Sequence, residues 1–392
     1  MAGAIHLPLD EAERRIEQYQ RFVTTHGSHG DGMASNILED KPESLPPGVL
    51  DTRPYKPSWV DRFMAAVERL PGPYWLIYLV LFGVEVGILH LVVWADGGMQ
   101  RFQFESYTLI LPIWLWGCLA IMTYLDRVAL KSLREFRPLL EINDTAQRRL
   151  EYQFTTMPSS PVIKSGLFWS AVYVIMVYFI TPTMQQAYSL GSVAMGVWIV
   201  TGLISFFAGS AIYYHTIRQL RLVNQTVRAV GHFNLFRLDP AYAFSRLTAR
   251  TSIVWVLLVT STLVLGRIPA SLLSLMVAFY AVQITLALAA FALPIWSVHQ
   301  CLVSEKRRLI AEHNLHVEAT LQQLHRHVDE GDLGSTAGAG TALAGLAAEK
   351  DVLAKIPTWP WRTGTLAAIL SALALPIILF LIQVALSRWL GL

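Results

Sequence analysis

Charge is scarce in this chain of 392 residues: only 15% are Asp, Glu, Lys or Arg, against 54% hydrophobic. A soluble domain carries roughly 25% charged residues. The shortfall excludes an ordinary water-exposed surface, and it is local, because the charges sit in blocks between long uncharged runs. Cysteine is almost missing too. Cys118 and Cys301 are the only two, too few for a disulfide framework, and both read as buried or reduced bystanders. The net charge of +3 is too small to imply nucleic-acid binding. No apolar stretch with a cleavage site opens the chain. Residues 8–23 instead mix acids and bases in a helical pattern, so the N-terminus is expected in the cytoplasm.

Catalytic signatures are also lacking. Gly338-Ala339-Gly340 has no following Gly-Lys-Ser/Thr, so it is no phosphate loop. The histidines His313, His316, His325 and His327 cluster on one segment. No cysteine or second compact ligand pair completes a metal site, and a solvated helix explains them. No H-E-x-x-T-P sequence of a sensor kinase occurs. The expectation is a protein that is not an enzyme and uses no cofactor or metal.

Long apolar runs are what the chain does have. A helix needs about 20 mostly apolar residues to cross the hydrocarbon core. Stretches 74–95, 107–125, 166–184, 193–215, 253–272, 273–298 and 365–389 qualify. The fifth and sixth are split at Gly266-Arg267-Ile268-Pro269, where glycine and proline turn the chain. The fold class is therefore all-α, a polytopic membrane protein of about seven spans.

Basic residues set the orientation. With the N-terminus inside, segments 1–73, 126–164, 216–250 and 299–362 hold 8, 7, 6 and 7 Lys plus Arg, and only Arg101, Arg267 and Arg388 of the 31 lie elsewhere. This predicts an N-in, C-out protein of a cell membrane, either plasma or bacterial inner. Tryptophans 75, 169, 255, 296, 359 and 361 fall near the inner boundary and 94 and 389 near the outer, as indoles favour.

The inner segments are long and patterned. Segment 126–154 continues the second span. In 217–230, Ile217, Leu220, Val223, Val227 and Val230 share a stripe, and in 302–328 Ile310, Val317 and Leu324 recur every seven residues. Such stripes bury against something. They lie on anionic lipid or bury one another as an anchor-like bundle, and the bundle is favoured because three stripes can satisfy each other. Ser58 to Leu70 reads as a short amphipathic helix with Ser58 as N-cap, after a linker over 24–57. Residues 331–345 read as a flexible Gly/Ala linker, followed by a short helix over about 346–356. The chain thus divides into 1–73 (N-terminal region), 74–298 (six spans with inner extensions), 299–362 (inner helical segment) and 363–392 (final span).

Two groups of residues are candidates for function. Glu85 is the acid well inside a predicted span, with His90 five positions later. A carboxylate in hydrocarbon is costly, so the pair reads either as a ligand-binding site or as a carboxyl bonded to a neighbouring helix. In the last span Thr365, Ala372, Pro376, Gln383 and Ser387 fall within about 40° of one face. They either line a pore or allow close packing, since small residues let helices approach.

Seven spans, an inside N-terminus and inner extensions of spans two, four and six together resemble the seven-helix ion-channel superfamily that includes insect odorant and gustatory receptors. The last helix reads TLAAILSALALPIILFLIQV, without the gustatory-type Thr-Tyr and Gln-Phe, so no residue is carried over by motif. The resemblance implies an inner anchor joined by a helix preceding the last span. It also implies a homo-oligomer, a tetramer, with its pore along the last helix and small-molecule ligands among the other spans. The expectation is an oligomeric channel-like or receptor-like protein. The alternative is a non-conducting signalling or scaffold protein whose inner bundle docks a partner.

Overall fold

The computed structural model describes residues 53–97, 100–188, 191–230, 235–236, 238–265 and 273–360, with separated positions between 364 and 382. Among them the chain is helical and has no strand, only an isolated bridge between Pro57 and Pro158. The first element, α1 (Trp59–Arg69), starts where the sequence says it should. Asp61 N donates to Ser58 Oγ at 3.2 Å and Ser58 N donates to Asp61 Oδ2 at 2.9 Å, a reciprocal capping box. Val60, Met64 and Val67 form its buried face.

Five helices are long and apolar enough to cross a membrane. They are α2 (Tyr74–Ala95), α3 (Ile110–Leu139), the Ser159–Phe179 part of α5 (Ser159–Tyr188), α6 (Ser192–Arg228) and the Ala278–Asp329 part of α8 (Leu273–Asp329). At 1.5 Å per residue, α2 alone rises about 33 Å, enough for the hydrocarbon core. Three more helices complete the order before the last segment: α4 (Asp144–Thr155) follows α3, α7 (Ala241–Leu265) precedes α8, and α9 (Leu333–Lys355) follows it. Ser252 Oγ donates to Ala287 O at 2.7 Å, which pairs α7 and α8 as an antiparallel hairpin. The turn expected at 266–269 lies outside the described residues.

Packing centres on α3 and α6. Where they meet, α3 is π-helical over Ile113–Gly117, and a Cβ built on Gly209 would run into the Trp114 carbonyl oxygen. Glycine is what permits that approach. One apolar core gathers Leu115, Leu119 and Met122 of α3 with Ile212 of α6 and Trp255 of α7. Trp255 is fully buried and donates to Thr216 Oγ1 at 2.9 Å. It is a core residue, unlike the boundary tryptophans Trp75 and Trp296, which are more than half exposed.

A second core forms at the basic end. It joins Leu133 and Phe136 of α3, Phe154 of α4, Val223 and Val227 of α6, and Leu302 of α8. Leu353 and Ile356 at the end of α9 (Leu333–Lys355) join the same core. The α8 helix continues past this core, turns at Gly331 (φ 74°) and returns as α9. His313 Nδ1 meets Glu349 Oε2 at 3.3 Å, and Lys306 Nζ donates to Ala354 O at 2.8 Å and Ile356 O at 2.9 Å. The lysine thereby caps the carbonyl end of α9, where a cation is favoured.

Three expectations are corrected in detail. Residues 333–355 are one helix rather than a flexible linker and a short helix. Alanine and leucine outweigh the glycines there, and Asp332 accepts from Ser335 N as N-cap. The extension 126–154 is two helices, because α3 ends at Leu139, just past Pro138, and Asn143 caps α4. The lower half of α6 buries His215, Thr216, Gln219, Leu222, Val223, Thr226 and Val227, whereas Ile217, expected on the stripe, is 40% exposed. The buried face is partly polar, so an apolar stripe points slightly off it. The N-terminal linker 24–57 and its preceding segment lie outside the described residues up to position 52.

Candidate functional site

The structure sends Glu85 and His90 to different partners. Glu85 Oε2 accepts from Trp116 Nε1 of α3 at 2.5 Å, and Oε1 is buried without a partner. His90 is 4% exposed and is held by the loop that follows α2. Its Nδ1 donates to Val86 O at 2.9 Å and its Nε2 accepts from Glu105 N at 3.3 Å, a tautomer assigned from these partners. Its ring stacks on Phe104 with centroids 4.9 Å apart. Beside Thr108, the gap lined by Leu89, Val93 and Trp198 measures about 10 Å³, room for no more than one water.

Of the last-span residues, Ala372 is described and helical; Thr365, Pro376, Gln383 and Ser387 lie outside the described residues. Ala372 borders a gap of about 10 Å³ against Ser252 and Val256 of α7 and Ala287 and Phe291 of α8. At this position the stripe faces helices of the same chain. A cavity of about 360 Å³ opens at the basic end, lined by Glu135, Asp239, Tyr242, Ser245, Arg246 and Pro360. Arg246 donates to the Glu135 carboxylate on its wall. Among the described residues, no group of three His, Cys, Asp or Glu is arranged to hold a metal ion.

Buried polar groups on α1, α3 and α6 form a further set, distinct from the candidates drawn from the sequence. Asp126 on α3 accepts at Oδ1 from His215 Nε2 at 2.8 Å and from Gln219 Nε2 at 3.3 Å. Gln219 Nε2 also reaches Phe154 O at 3.2 Å. On the α1 side, Asp61 Oδ2 accepts from Ser58 Oγ at 2.7 Å and from Met157 N at 2.9 Å. Arg218 donates to the Tyr55 hydroxyl and to Gln153 O at 3.2 Å, and Tyr55 donates to Thr156 O at 2.8 Å. Asp61, Asp126, His215 and Gln219 are all less than 10% exposed.

Burial pushes the Asp61 carboxyl above the usual carboxylate range, and the Ser58 and Met157 hydrogen bonds and the His215 ring pull it back. Burial likewise raises the Tyr55 phenol, against the opposing Arg218 charge. The signal in the sequence was spacing: His215 and Gln219 are four apart, on one face of a helix. Asp126 and His215 stand at the basic ends of two predicted spans, where they read as ordinary span boundaries. No family model, curated protein or solved structure matches the chain.

Proposed function

We propose that the protein is an oligomeric channel-like or receptor-like membrane protein without catalytic activity. In this reading it has seven spans, an inside N-terminus and an outside C-terminus, and its basic end is the cytoplasmic anchor. One observation carries the reading. The extensions of predicted spans two, four and six meet the end of α9, the helix preceding the last span, in one apolar core. That plan is the one implied by the resemblance to the seven-helix channels, in which the last helix lines a tetramer's pore. The test is single-channel recording from purified protein in planar bilayers, combined with particle images in detergent. A fourfold ring with a central stalk and unitary currents is the expected outcome. A monomer that stays silent across voltages overturns the reading.

A second reading is favoured by Ala372, which borders α7 and α8 of its own chain. It makes the protein a non-conducting receptor or scaffold, with the α8–α9 hairpin as its docking element. Co-purification of one stable partner, lost when residues 310–350 are replaced by a short turn, supports it. Currents from the unpartnered protein count against it.

A further inference from the structure

We propose that the cavity at the basic end, lined by Glu135, Asp239, Ser245 and Arg246, binds the headgroup of an ethanolamine phospholipid. The proposal needs only that α3 crosses the membrane, and it stands whether or not the protein conducts. At about 360 Å³ the cavity has the volume of a ligand pocket, for which about 300–1,000 Å³ is usual. A headgroup enters it while the acyl chains stay outside.

Depth in the membrane selects the source of the ligand. At the opposite end of the molecule Ser106 Oγ, just before α3, donates to Leu265 O at the end of α7 at 2.8 Å. That bond holds the two helix ends at one level. Measured from there, Glu135 stands about 37 Å along α3 and Tyr242, on the cavity wall, about 35 Å along α7. The hydrocarbon core is about 30 Å thick, and a headgroup layer adds roughly 5–7 Å on each side. The cavity therefore opens among the headgroups. Pro360, which leads into the final segment, borders it.

The lining selects the chemistry. It carries both signs of charge, the carboxylates of Glu135 and Asp239 and the guanidinium of Arg246, which suits a zwitterion. Arg246 Nη2 donates to Glu135, and a guanidinium has further N–H groups to offer a phosphate oxygen. The cavity borders the first turn of α7, where the helix dipole also favours an anion. The carboxylates are left to receive an ammonium. Ser245 decides which ammonium. It is 3% exposed, and its Oγ is buried on the cavity wall without a hydrogen-bond partner. Buried polar groups are nearly always bonded. A primary ammonium brings three N–H donors to that oxygen and to the carboxylates, whereas the methyl groups of choline bring none.

The experiment uses the full chain, stripped of lipid in detergent and offered dioleoyl phosphatidylethanolamine, phosphatidylcholine or phosphatidylglycerol. Native mass spectrometry counts the lipid retained. Wild type is expected to hold phosphatidylethanolamine about tenfold more tightly than the other two. Asp239→Asn and Ser245→Ala are each expected to cut the preference over phosphatidylcholine to about threefold or less. Arg246→Gln is expected to weaken both of these lipids about tenfold, through the shared phosphate. Asp239 is exposed and Ser245→Ala removes a single oxygen, so these two variants keep the test open if Arg246→Gln does not fold. In wild type, phosphatidylethanolamine but not phosphatidylcholine is expected to slow amide exchange over 239–246, which ties the lipid to this cavity. Equal retention of the three lipids overturns the proposal, as does tighter binding of phosphatidylglycerol. A preference unchanged in both Asp239→Asn and Ser245→Ala overturns it too. Free O-phosphoethanolamine bound in place of the lipid overturns the lipid assignment and gives the cavity to a soluble ligand.

Discussion

Helices α2 and α5 hide little of themselves, with 22% and 17% of their most apolar windows buried, whereas α3 and α6 bury 50% and 44%. The inner pair carries Thr123, Asp126, His215 and Gln219, all buried, whereas α5 is no more apolar in sequence than α6. In a water-soluble protein the order would be reversed. Lipid is as apolar as leucine, so apolar surface gains nothing by moving inward, and small or polar residues decide which helices sit at the centre. Gly209 against the Trp114 carbonyl is the small-residue version of this rule, and Asp126 with His215 the polar version.

That contrast can be broken most directly with one kind of substitution made twice. Leu133 is fully buried in the basic-end core and Leu91 on α2 is 62% exposed. Leu133→Ala is expected to cost about 3 kcal/mol by leaving a cavity. Leu91→Ala is expected to change stability by less than about 0.5 kcal/mol. Thermal or denaturant unfolding in detergent measures both, and equal losses would abolish the distinction between centre and periphery. A smaller effect is expected of Gly209→Ala, about 2 kcal/mol, because backbone rather than a side-chain tip must yield. The same change at Gly87 on α2, which meets nothing within 4 Å, is expected to be neutral or mildly stabilising. Smallest is Lys306→Met at the end of α9, about 1 kcal/mol of lost capping. It should be read as faster amide exchange over 350–356 rather than as global unfolding.

What the sequence made legible was whatever depends on local chemistry. Ser58 and Asp61 announced α1 down to its cap, because a capping box is written in four residues. The apolar stretches announced α2, α3, α5, α6 and α8 as helices able to cross a membrane. The mutual burial of the inner extensions was also legible, since an unmatched stripe has few places to go. The α9 helix was missed because Gly334, Gly338, Gly340 and Gly345 read as breakers. Each costs a helix only about 1 kcal/mol, and the neighbouring alanines and leucines offset it. The polar set around Asp126 was missed for a different reason. Asp126 lies 89 residues from His215 and Asp61 lies 96 from Met157, and no periodicity within one segment can join them. Glu85 was conspicuous because it stood alone in a span, yet its partner is Trp116, an indole nitrogen that apolarity scales count as hydrophobic.

The α8 helix, finally, is also a lever. Its 57 residues make a rod of about 85 Å, and Pro294 removes one backbone hydrogen bond close to where the basic end begins. Beyond that point the helix runs about 50 Å further, first through the basic-end core at Val298 and Leu302 and then past it, stiffened by α9 lying antiparallel along it. A tilt of only about 5° there sweeps the tip at Gly331 through roughly 4 Å. The same tilt displaces the Lys306-capped end of α9, and with it the residues that lead into the final segment. The far tip at Gly331 and the Lys306-capped end of α9 are thereby two points on one rod.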